Sequence, residues 1–306
     1  MKQFCTISTR NGPYYWHHLF SQNPDETRLN VVKTLPIRTW HEQMGHLNWD
    51  VIKWTRHGDS PLIGIKLDLS EPHGPCDGCI AGKEKCHTFK SSGCRASEPL
   101  KIIHADLAGP METISIGGYH YFIVYLDDNT CRVWVVFMKS KDETLEVTEK
   151  FVQTIEKCTG WTIRTFRSDR GGEFMSAAFS RFLEECGISC EMSAPRTLQQ
   201  NGLVEQMMRT LVGSARAMLQ HSGLLKGFWA EAVTTAAHIH NHSPQKGLDW
   251  KTPHELFHGH VPDVSYLRVF GSLGAEGVLP RGNLRVFWEF LSNIPSICPL
   301  GKLKVF

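Results

Sequence analysis

Ile102-Ile103-His104-Ala105-Asp106-Leu107-Ala108-Gly109-Pro110 opens the part of the chain that decides the fold, and the runs Tyr119 to Asp127 and Arg132 to Met138 complete it. All three are rich in β-branched and aromatic residues and bounded by turn formers, which is the pattern of strands. Gly109-Pro110 stops the first, and Asp128-Asn129 joins the other two as a hairpin or meander. Outward from these strands, Lys141 to Lys157 carries a helical period. Thr162 to Phe166 is another β-rich run, and it stops at Ser168-Asp169 ahead of a Gly171-Gly172 turn. Phe174 to Cys186 reads as a helix, Ile188 to Met192 as a strand, and Gln200 to Gln220 as a long helix. Phe228 to Asn241 is a further helix, ended by Ser243-Pro244. This order makes an α/β unit: a mixed five-stranded sheet with flanking helices.

A chain of 306 residues is about two domains long. Hydrophobic residues make up 41% and charged residues 21%, which allows real cores and excludes a disordered tail. Lys+Arg 33 against Asp+Glu 31 gives +2, which excludes nucleic-acid binding through bulk charge but leaves room for a local basic surface. No run approaches the roughly 18 consecutive apolar residues of a membrane span. The first twenty residues hold no apolar core of a secretory signal, so the expectation is a protein that is not secreted. Ten cysteines and sixteen histidines then point to reduced thiols and a metal site.

The clearest metal pattern lies ahead of the sheet. Trp40, Met44, Leu47, Val51 and Trp54 predict an amphipathic helix from Trp40 to about Arg56, with Gly45 and Asn48 counting against it. His41 and His46 sit on that stretch, and Cys76-x2-Cys79 follows in a Gly-containing turn. Two imidazoles and two thiolates complete a tetrahedral zinc site with no open position, which stabilises a small domain rather than performing chemistry. The competing reading has solvated histidines and ordinary small apolar cysteines. His73, Cys86 and His87 lie close enough to compete for a ligand place. The basic stretch holding Lys83 and Lys85 reads as a linker on an acidic partner or, equally, as a solvated one.

Asp106 ends the first strand, Asp169 follows the fourth, and Glu205 falls in the first turns of the long helix. Strand ends and a helix start can converge at one sheet edge. Three such carboxylates repel unless cations lie between them, and Mg2+ suits oxygen ligands. Two ions about 3.5–4 Å apart would bracket an in-line displacement at phosphorus. Any three of thirty-one acids can be grouped this way; what singles these out is their place at element ends.

The same residues carry a resemblance. His104-Ala105-Asp106-Leu107-Ala108-Gly109-Pro110-Met111, Ser168-Asp169-Arg170-Gly171-Gly172-Glu173-Phe174, Ser193-Ala194-Pro195, Gln199-Gln200-Asn201-Gly202, Glu205 and Arg209-Thr210-Leu211 are similar to the catalytic core of a retroviral-type integrase. The class they resemble is that of Ty1/copia-type LTR retrotransposons. Thirty-five residues lie between Asp169 and Glu205, the family's spacing between its last two acids. Phe228-Trp229-Ala230-Glu231-Ala232, Asn241-His242-Ser243-Pro244, Thr252-Pro253 and Leu267-Arg268-Val269-Phe270-Gly271 resemble the same class. The His-His-Cys-Cys set resembles the zinc domain that precedes such cores.

The resemblance implies an RNase H-like fold preceded by a small α-helical zinc-binding domain. It divides the chain into a polar segment 1–36, a zinc-binding unit 37–90, a linker 91–100, a core 101–245 and an extension 246–306 that diverges after about 271. It implies DNA strand transfer, in which a cDNA 3′-hydroxyl attacks a target phosphodiester. Asp106, Asp169 and Glu205 would hold two Mg2+ or Mn2+ ions; His41, His46, Cys76 and Cys79 would hold one structural Zn2+. Gln200, Asn201, Arg209, Lys83 and Lys85 would contact nucleic acid. The implied partners are cDNA ends and a target duplex, with RNA as an alternative, and a second copy of the chain when active. A membrane is not among them, and the implied place of action is the nucleus, after assembly in cytoplasmic particles. Departures from the family pattern support a second reading, a catalytically decayed nucleic-acid-binding remnant. They are Arg170 for Asn, Arg196-Thr197-Leu198 for Tyr-Thr-Pro, and Gln206-Met207-Met208 for Arg-Lys-Asn.

Overall fold

The computed structural model describes residues 34–55, 62–70, 74–82, 95–169, 171–192 and 202–272. Lys83, Lys85, Arg170, Arg196, Gln200, Asn201, the competitor ligands His73, Cys86 and His87, and everything after 272 lie outside them. At the N-terminal side, β1 (Leu35–Pro36) pairs in parallel with β2 (Leu67–Asp68). Between them lie α1 (Ile37–Gln43) and α2 (Trp49–Trp54), and α3 (Asp77–Gly82) follows. The single helix expected from Trp40 to Arg56 is therefore two. Gly45 at φ 55° and His46 at φ 62° turn the chain through left-handed backbone. Asn48 then starts α2 by accepting the Asp50 N–H at 2.8 Å. The two residues that weaken the helical pattern are among those that break it.

The main sheet is built from β3 (Ile102–Ala108), β4 (Tyr121–Asp127), β5 (Val133–Met138), β6 (Thr165–Ser168) and β7 (Ser189–Met192). Its order is β5-β4-β3-β6-β7, with β3, β4 and β5 antiparallel and β3, β6 and β7 parallel. Five helices belong to this layer structure: α4 (Thr144–Thr159), α5 (Ala177–Glu185), α6 (Gly202–Ser222), α7 (Trp229–Asn241) and α8 (Pro253–His258). This mixed five-stranded sheet with flanking helices is an RNase H-like fold, as the sequence predicts. The helix expected from Phe174 starts later, at Ala177. The Phe174 N–H bonds the Gly171 carbonyl in a turn, and Ser176 caps α5 by accepting the Phe179 N–H at 3.1 Å.

Strand alternation sorts the side chains onto two faces. Ile103, Ala105, Ile123 and Tyr125 pack with Phe151, Phe166 and Phe179 on the α4–α5 face. Phe122, Val124 and Leu126 pack with Leu211, Met218, Trp229 and Val233 on the α6–α7 face. Each fully buried aliphatic or aromatic side chain contributes about 2–3 kcal/mol relative to exposure. Ile37, Trp40, Met44 and Ile52 join this second core, so the N-terminal helices pack on the α6–α7 layer. Asp106 alternates with Ala105 on β3 and thus faces the α6 side of the sheet.

Candidate functional site

His41, His46, Cys76 and Cys79 converge: one ligand atom from each lies within 4.8 Å of all the others. His41 Nε2 is 3.3 Å from Cys79 Sγ, His46 Nδ1 is 3.3 Å from Cys76 Sγ, and the two nitrogens are 3.2 Å apart. Donor atoms around a tetrahedral zinc are about 3.3–3.7 Å apart, and these three distances lie at the short end of that range. His41 Nδ1 donates to the Leu47 carbonyl at 2.7 Å, which leaves the Nε2 lone pair facing the other three ligands. Trp49 stacks on the His41 ring with centroids 3.9 Å apart and fixes its plane. The histidines meet through the left-handed turn at Gly45 and His46 rather than on one continuous helix. A non-glycine residue at φ 62° costs about 1–2 kcal/mol, and His46 carries that strain at a ligand position.

The carboxylates gather toward the C-terminal ends of the neighbouring parallel strands β3 and β6, with Asp106 inside β3 rather than at its end as the sequence suggests. Asp106 lies on β3, Asp169 follows β6 directly, and Glu205 stands in the first turn of α6, which packs on β3. Burial foremost, then the negative charges of Asp169, Glu205 and Glu173, pushes the Asp106 carboxyl up to about 6. The three expected acids therefore share one electrostatic environment, and a fourth, Glu173, belongs to it. Each currently takes a local donor. Asp106 Oδ1 accepts the Leu107 N–H at 3.0 Å and Asp169 Oδ1 the Gly171 N–H at 3.0 Å, while Glu205 Oε2 is 3.7 Å from Arg209 Nη2. Among the described residues, the carboxylate oxygens do not close to the mutual distances of the His2Cys2 set.

Residues 96–197 match the family described as Integrase core domain. The chain is 35% identical over 241 residues, 78% of its length, to the Retrovirus-related Pol polyprotein from transposon TNT 1-94 of Nicotiana tabacum. It is 28% identical over 267 residues to the corresponding polyprotein from transposon RE1 of Arabidopsis thaliana, and 25% identical over 248 residues to the Transposon Ty1-ML2 Gag-Pol polyprotein of Saccharomyces cerevisiae. The chain belongs to the Ty1/copia-type retrotransposon integrases. It spans 18% of the length of the tobacco and Arabidopsis relatives and 14% of the yeast one.

Within this integrase core, Arg209 pairs with Glu205 one turn away on an exposed helix face, an ion pair worth at most a few tenths of a kcal/mol. It is therefore available to other anions at small cost. The altered positions beside Glu205 divide. Gln206 is exposed, Met207 packs against the core, and Met208 is 8% exposed within it. Glu173 was not singled out by sequence reasoning, although it stands four residues after Asp169 behind two glycines. Its Oε1 lies 3.6 Å from Lys141 Nζ, which bounds the carboxylate edge with a cation. Among the described residues, no helix is long and apolar enough to cross a membrane.

Proposed function

We propose that this integrase segment performs metal-dependent DNA strand transfer, with Asp106, Asp169 and Glu205 holding two Mg2+ or Mn2+ ions. The observation that carries the reading is the gathering of these three carboxylates in one partly buried place, where burial first and then the charges of Asp169 and Glu205 raise Asp106 to about 6. Crowded, partly desolvated carboxylates with hard oxygen donors suit such ions, and a cation relieves the repulsion. The bound ions would supply charge neutralisation to the attacking and leaving oxygens of a phosphodiester. The chain's own part is placement. β3 and β6 hold the two aspartates rigidly, α6 brings the glutamate across them, and Arg209 and Lys141 offer positive charge to the DNA backbone at the rim. The His2Cys2 tetrad holds one structural zinc, and the partners are cDNA ends and a target duplex, met in the nucleus.

A second reading is a catalytically decayed, nucleic-acid-binding remnant. Exposed, neutral Gln206 and half-buried Met207 favour it, because they leave the face beside Glu205 with less positive charge for phosphates. Purified chain with a short duplex and Mg2+ or Mn2+ separates the two. Strand nicking and joining, abolished by Asp169→Asn, is expected of an active integrase. Duplex binding without strand chemistry in either ion would establish the remnant. Strand chemistry that survives Asp169→Asn would refute the assigned carboxylates.

A further inference from the structure

The tetrad end of the N-terminal unit is seated on α6 through contacts that leave no room for a side chain. A Cβ on Gly82 would lie 2.5 Å from the Ala217 N and 2.7 Å from its Cα. One helical turn earlier, a Cβ on Gly78 would lie 2.9 Å from His46 Cε1 and 3.1 Å from the Ala217 carbonyl oxygen. So α3 meets α6 backbone against backbone along Gly78 and Gly82, and the ligand Cys79 lies between them in sequence. A Cβ on Gly45, the residue before His46, would meet Ile239 Cδ1 at 2.8 Å and Met218 Sδ at 3.3 Å. One turn after Ala217, His221 stands edge-on to the His46 ring with centroids 5.1 Å apart. Its Nε2 is 3.9 Å from Glu42 Oε2, on the residue that follows His41.

We infer that zinc binding by the tetrad and docking of α3 on α6 are one linked equilibrium, with Ala217 and His221 as positioning residues for the metal centre. The inference rests on the reading of the tetrad as a zinc site. The ligands come from α1, the left-handed turn and the segment of Cys76 and α3. A helix of six residues has no stability of its own, so Cys79 is held in place by the α6 seat or by the metal. Whatever favours one of two linked states favours the other. The helix that receives α3 at Ala217 also carries Glu205 in its first turn, about 18 Å away at 1.5 Å per residue.

Zinc competition against a chromophoric chelator, on the full chain, reads the linkage directly. Ala217→Leu fills the seat of Gly78 and Gly82 and is expected to weaken zinc binding about tenfold or more. His221→Ala leaves that seat intact and is expected to weaken it about tenfold. Arg216→Leu, on the exposed side of α6, is expected to leave it within about twofold. Hydrogen exchange of α6 amides should rise between residues 211 and 222 when zinc is removed from the unchanged chain. An unchanged chain that binds no zinc refutes the tetrad as a zinc site, and the linkage with it. Zinc bound equally well by the unchanged chain, Ala217→Leu and His221→Ala, with α6 exchange indifferent to the metal, overturns the linkage alone.

Discussion

Asn241, the last residue of α7, bonds the edge strand β5 in both directions at Val133. Its Oδ1 accepts the Val133 N–H at 2.9 Å and its Nδ2 donates to the Val133 carbonyl at 2.9 Å. One side-chain amide thus does for β5 what a sixth strand would do, and closes an open sheet edge at its start. It also ties α7 to the sheet across more than a hundred residues of sequence.

Asn241→Ala leaves two buried backbone groups of Val133 without partners. The expected loss is about 2–4 kcal/mol, from two unsatisfied groups at about 1–2 kcal/mol each. Urea denaturation should show a lower midpoint with unchanged slope. A midpoint within error of the unchanged chain would mean that water replaces both bonds.

Asp106 makes the metal-free chain less stable at neutral pH. Its folded value of about 6 lies above the ordinary 3.8, so the unfolded chain gives up this proton more easily. The stability it contributes is full at low pH and is lost as pH rises through about 6. The shift corresponds to a ceiling of about 3 kcal/mol, and water at the partly open edge reduces this to about 1–2 kcal/mol. Asp106→Asn should therefore melt higher than the unchanged chain at pH 7.5 in chelator, and equally at pH 4. Adding Mn2+ should reverse the order, because only the unchanged chain gains from the ion. Identical melting curves at pH 7.5 would show that the Asp106 carboxyl is not raised.

A seam of histidines joins α7 to α8 and predicts acid sensitivity. Ring centroids of His238 and His242 are 4.2 Å apart, those of His242 and His254 4.6 Å, those of His254 and His258 4.6 Å, and those of His254 and His260 4.8 Å. Burial foremost, with the Arg132 guanidinium and neighbouring histidines adding to it, lowers His242 and His258 to about 4 and His254 to about 3. His238, fully enclosed, is lowered as well. These values lie below the 6.5 of an ordinary histidine, so the unfolded chain takes up protons first. The seam stabilises fully above pH 6.5, and this contribution is lost as pH falls from 6.5 toward 4. Calorimetry should show Tm falling by about 10 °C or more between pH 7 and 5. His254→Gln, which cannot charge, should flatten that slope. A slope unaltered by His254→Gln would assign the acid sensitivity to other groups.

The sequence by itself determined the order of strands and helices from Ile102 to Asn241, because alternation, helical period and turn chemistry are properties of neighbouring residues. It also marked His41, His46, Cys76 and Cys79 by residue type and spacing. Only the tertiary structure decided how they meet. Their convergence depends on a left-handed turn at His46 and on Gly82 lying against Ala217, two positions far apart in the chain. The same holds at the carboxylate edge. Nothing local separates Glu173 from the other acids of the chain, and its bearing on Asp106 follows from the approach of β6 to β3. Asn241 reads in sequence as the polar end of a helix; its bonds to Val133 exist only once α7 lies on the sheet. Secondary structure is written in short-range preference, whereas a site is assembled by packing, and packing joins residues that carry no mark of one another.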